Sequence, residues 1–101
     1  MNETIEKYLE DELIKASLSA ILDLSPRPIA SILKDWHNRI DTRIVDDACR
    51  MFPEISRQEM VDKYCQILTN LSNDAMKSRP ENEQQKLRDI IAQRCNMFHD
   101  K

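Results

Sequence analysis

Apolar residues recur along nearly the whole chain at steps of three and four, the spacing that lines one face of an α-helix. In the first segment Ile5, Leu9, Leu13, Ala16, Ala20 and Leu24 form the stripe, and Tyr8, Ile14, Leu18, Ile21 and Leu22 widen it. The pattern predicts a helix over 3–23, with Asp and Glu crowded into its first half, where the helix dipole favours anions. Pro26 and Pro28 break it, because each lacks an amide donor and biases its predecessor away from α geometry. A second segment, 28–52, puts Ile29, Ile32, Leu33, Trp36 and Ile40 on one face and continues through Ile44, Val45, Ala48, Met51 and Phe52. Neither Gly nor Pro interrupts residues 29–52, but Asn38, Asp41 and Thr42 are weak helix formers. The segment reads as one helix bent near 41, or as two, with Asp41 or Thr42 capping the second.

Pro53 ends that element, and the clearest local signal follows. Ser56 and Glu59 have the S-x-x-E spacing of a capping box, with Ile55 and Met60 placed as a hydrophobic staple. They start a helix over 57–77, whose face is Met60, Tyr64, Ile67, Leu68 and Leu71, joined by Val61 and Ala75. Pro80 suits the opening turn of a last helix, 80–98, with Glu81 and Glu83 near its positive end. Leu87, Ile90, Ile91, Arg94 and Phe98 form its stripe. The expected fold is all-α: one helical domain over 1–101, a compact orthogonal or up-down bundle of four to five helices.

Composition narrows the functions available. The chain has 101 residues, 41% of them apolar and 33% charged, which suits one small globular domain. It contains no glycine. A phosphate-binding loop, a dinucleotide fingerprint and a nucleophile elbow all need glycine, so those enzyme classes fall away. The net charge of −3 makes no magnet for nucleic acid or an anionic membrane. Cys49, Cys65 and Cys95 are odd in number and widely spaced, which points to reduced thiols inside a cell. The acidic, amphipathic start lacks the features of a secretory signal, and no apolar run has the length of a membrane span.

Candidate chemistry is sparse. Cys95 and His99 stand four apart, a spacing at which helical side chains share a face, but a zinc site normally shows more than one such pair. A cysteine nucleophile needs a base and an exposed turn, and all three cysteines lie within helix patterns. His37 falls off the Ile32–Trp36 stripe and reads as solvated. Asp46 and Asp47 are adjacent, so on a helix they diverge rather than share a proton. No catalytic residue, cofactor or metal is expected.

Three binding readings remain. The first is a non-enzymatic protein–protein interaction module, acting as an adaptor, regulator or inhibitor, with another protein or a second copy as partner. The first helix has more apolar residues than one packing face needs, so Tyr8, Ile14, Leu18 and Ile21 are candidate contacts. Trp36 and Tyr64 are candidate aromatic anchors. The second reading is a DNA-binding regulator with a helix-turn-helix around residues 44–70, presenting Arg57, Gln58 and Lys63. Against it, Glu59 and Asp62 sit among them and no basic cluster forms. The third comes from Met51, Phe52 and Pro53. A Met-Phe-Pro at a helix end resembles the signature of CUE domains, small three-helix ubiquitin-binding modules. That resemblance implies contact between Met51, Phe52 and the apolar patch of ubiquitin. The family's later di-leucine has no counterpart here, where the chain reads AMKSRPEN, and the usual glycine between its second and third helices is missing.

Overall fold

The computed structural model describes residues 4–16 and 28–99. Helix α1 spans Ile5–Lys15 and is capped by Thr4, whose hydroxyl accepts from the Lys7 amide at 3.1 Å. Leu9 and Leu13, from the expected stripe, are its buried residues. Beyond Ala16 the helix expected over 3–23 lies outside the described residues, and Leu18 and Ile21 with it.

Helices α2 (Ile29–Trp36) and α3 (Thr42–Met51) form one continuous rod, joined by a π-helical turn at His37–Asp41. The single helix with a bend near 41 is thus the observed form. The turn has a physical reason. At 100° per residue, the steps from Ile32 to Ala48 would rotate an α-helix about 160° out of phase. A π turn holds roughly one residue more than an α turn and takes back about 100° of that drift. Ile32, Ile44, Val45 and Ala48 are all buried as a result.

Two sequence expectations fail at this turn. Asp41 does not cap a helix: its backbone is helical, its side chain makes no cap bond, and it is fully buried. His37 is not solvated but 8% exposed. The Asp41 reading assumed a break where the backbone stays helical, and the His37 reading assumed an uninterrupted α period; both residues lie in the π turn and are buried.

Helix α4 (Arg57–Met76) begins where the capping signal places it, with Ser56 Oγ accepting from the Glu59 amide at 3.2 Å. Ile55 packs against the core cluster that contains Met60. Helix α5 (Glu81–Asn96) follows Pro80. The bundle is built around α4, which packs against α1, α3 and α5; α1 also meets α3, and α2 meets α5. Leu9, Leu13, Ile44, Val45, Ala48, Met60, Ile67, Leu68 and Ile91 are among the core residues where these helices converge. The molecule measures 40 × 31 × 18 Å, so its short axis is about two helix diameters. Among the described residues, no helix is long and apolar enough to cross a membrane.

Candidate functional site

Among the described residues, four polar side chains are buried: His37, Asp41, Ser72 and Arg94. Asp41 leaves the π turn toward α4 and α5, where Arg94 meets it with two bonds, Nε to Oδ2 at 2.8 Å and Nη2 to Oδ1 at 2.6 Å. The Tyr64 hydroxyl, from α4, donates to the same Oδ1. His37 stands one turn before Asp41 on the rod, with Nδ1 3.8 Å from Oδ2. Its ring meets Phe98 edge-on at 4.5 Å, and Phe98 also meets Tyr64 at 6.1 Å. His37 Nδ1 is buried without a hydrogen-bond partner, as is Ser72 Oγ.

The electrostatics follow from burial set against pairing. Burial pushes the Asp41 carboxyl up, yet His37, Arg94 and Tyr64 outweigh it and hold the carboxyl below the ordinary range. Arg94 does most of this, because its two bonds are short whereas His37 lies beyond hydrogen-bond reach. Burial pulls the Arg94 guanidinium down, and the Asp41 carboxylate more than offsets it. Burial and the neighbouring Asp41 charge push the Tyr64 phenol well up. Asp41 therefore stays ionised, Arg94 charged and Tyr64 protonated. A carboxylate whose oxygens already receive three donors is poorly placed to act as a base.

The candidate interaction residues scatter around this centre. Tyr8 and Phe52 are both half-buried and meet edge-on at 5.8 Å, which fastens α1 to the end of α3. Met51, beside Phe52, is 57% exposed, and Ile14 on α1 is 50% exposed. The Met-Phe-Pro triplet thus divides: Met51 and Pro53 face outward, while Phe52 serves the joint. Trp36 is half-buried with the Arg39 guanidinium 5.7 Å from its ring centre. Tyr64 has no exposed surface to offer a partner.

The outer face of the α2–α3 rod has two shallow grooves of about 430 and 540 Å³, lined by Lys34, Arg39, Arg43 and Arg50 together with Asp35, Asp46 and Asp47. Arginine and aspartate pair across this face: Arg39 with Asp35, Arg43 and Arg50 with Asp47, and Arg57 with Asp46 at 2.6 Å. Cys95 and His99 do line one groove, as their spacing suggests. Among the described residues no group of three or more His, Cys, Asp or Glu side chains could hold a metal ion.

Sequence reasoning missed the partnership of Asp41 with Arg94, and it missed that Cys65 and Cys95 line one groove. The first had one visible signal, an arginine on the apolar stripe of the last helix. The second had none, since the two cysteines belong to different helices. No protein-family model matches the chain, and no curated protein or solved structure matches it either.

Proposed function

We propose that the protein is a non-enzymatic protein–protein interaction module, an adaptor or regulator whose contact surface includes Ile14 and Met51. The observation that supports this reading is the exposure of those two large apolar side chains, on the two helices that the Tyr8–Phe52 contact joins. Scattered apolar residues are common on protein surfaces; a docking face gathers them into one patch, and the helices that carry these two pack against each other. The interior supports it too: among the described residues, the buried Asp41 carboxylate is already met by Arg94 and Tyr64. An intracellular setting goes with the reading, since Cys49, Cys65 and Cys95 are free thiols.

The first partner to test is a second copy of the chain. Light scattering behind size exclusion should give a mass that rises above the single-chain 11.9 kDa with concentration. Ile14→Asp with Met51→Asp should return it to one chain. If the wild type stays single at every concentration, a photo-crosslinking residue placed at position 14 or 51 in the source cell decides the matter. No adduct from either position would sink the interaction reading.

A further inference from the structure

The packing that builds the buried network also brings two thiols together. Tyr64 on α4 and Arg94 on α5 both bond to the Asp41 carboxylate, so a single group sets the two helices at the same level. Each is followed in the chain by a cysteine, Cys65 and Cys95. Both open on one groove across the packed α4–α5 seam, near enough for each thiol to shift the other's titration. Both are half-buried and line a solvent-open groove of about 330 Å³ with Asp62 and His99. A small oxidant can reach them there. Cys49, on α3, does not line that groove.

We propose that Cys65 and Cys95 form a reversible thiol–disulfide site that takes hydroperoxides as its oxidant. Cys95 is the attacking sulfur. The neighbouring Cys65 thiol lowers Cys95 below the ordinary thiol value against the effect of burial. The same neighbourhood, with burial, pushes Cys65 up. Because thiolate rather than thiol is the nucleophile, the pair is asymmetric in reactivity. In the first step Cys95 thiolate attacks one oxygen of hydrogen peroxide. An S–O bond forms, the O–O bond breaks, and hydroxide leaves and takes a proton to become water. In the second step Cys65 sulfur attacks the Cys95 sulfenic acid. An S–S bond forms, the S–O bond breaks, and the oxygen departs as water with the Cys65 proton. In sum, two thiols lose two electrons and two protons, and one peroxide becomes two waters. A dithiol reductant returns the pair to thiols by exchange.

The test uses the full-length chain, reduced, freed of reductant and treated with one equivalent of hydrogen peroxide. Remaining thiols are then alkylated and the tryptic peptides mapped. Trypsin cuts after Lys63 and Arg94, so a Cys65–Cys95 bond links two separate peptides. The expected product is that linked pair within one chain, about 2 Da lighter than the two free peptides, while Cys49 is alkylated. Dithiothreitol should reverse it. Cys65→Ser should leave a Cys95 sulfenic acid that dimedone traps, and Cys95→Ser should leave Cys65 about tenfold slower to react. If Cys49 reacts as fast as Cys95, or the linkage forms only between chains, or no linkage forms, the proposal is overturned. The wild-type map stands whether or not either variant folds.

Discussion

Asp41 is a charged group in a place where an isolated charge could not stay. A buried ion pair does not imply net stabilisation, because desolvating both partners costs about as much as their attraction returns. Removing one partner is different, since it strands the other charge in the interior. Asp41→Ala should therefore destabilise the domain by about 3–5 kcal/mol, as read from urea unfolding. In a domain whose whole stability is of order 5–15 kcal/mol, that is a large share. The triple replacement Asp41→Leu, Tyr64→Phe, Arg94→Met removes the whole bonded group and should lie closer to wild type than the single change. A cost below about 1 kcal/mol for Asp41→Ala would mean that water reaches Arg94 and relieves it. The pH dependence has a definite sign. The folded-state carboxyl is held low, so its stabilisation is complete above the unfolded value of about 3.9 and is lost as pH falls through the lower folded value. Below about pH 4 wild type should lose stability more steeply than the triple variant. Glu6, lowered by its bond to Lys63, titrates in the same direction but is exposed and common to both proteins.

At the scale of elements, the parts legible in the sequence were those set by neighbours along the chain. The start of α4 is such a part, since Ser56, Glu59, Ile55 and Met60 lie within one turn of it. Ser56→Ala removes the acceptor of the Glu59 amide and should cost about 1 kcal/mol. The urea midpoint should fall by roughly half a molar with an unchanged slope. Ser56→Asp, which keeps an acceptor, should stay near wild type, and an equal loss in both variants would remove capping as the cause. The π turn is the opposite case. The weak helix formers Asn38, Asp41 and Thr42 marked its place but not its kind, because its cause lies in keeping Ile32 and Ala48 on one core face. Only the slow drift of the stripe at four-residue steps hinted at that cause. The phase error that hid the turn also turned His37 the wrong way. Arg94 was legible as an oddity, an arginine among Leu87, Ile90 and Ile91. Its partner was not, because Asp41 lies 53 residues away and no local rule connects them. The thiol pair was hidden for the same reason, since its closeness depends on α4 and α5 being set level by that carboxylate.

At the scale of the whole molecule, charge decides between binding a protein and binding a polyanion. The chain has 15 Lys and Arg against 18 Asp and Glu, but the arrangement matters more than the total. Nucleic acid and heparin reward clusters of unpaired cations, because each contact releases a counterion. On the α2–α3 rod Arg39, Arg43 and Arg50 each have an aspartate within 4 Å, and Arg57 at the start of α4 pairs back to Asp46. Surface pairs of this kind add little to stability. Their consequence here is to cancel the field that would draw a phosphate backbone. The protein should therefore pass through a heparin column at about 0.15 M salt without retention. Asp46→Asn with Asp47→Asn would free Arg43, Arg50 and Arg57 while leaving the core untouched, and should produce retention that falls as salt rises. Should the wild type itself be held to about 0.3 M salt or beyond, the paired face would not be neutral in solution, and the helix-turn-helix reading of 44–70 would displace the interaction module. Retention of neither protein would place the cause in the overall acidity of the chain rather than in the pairing.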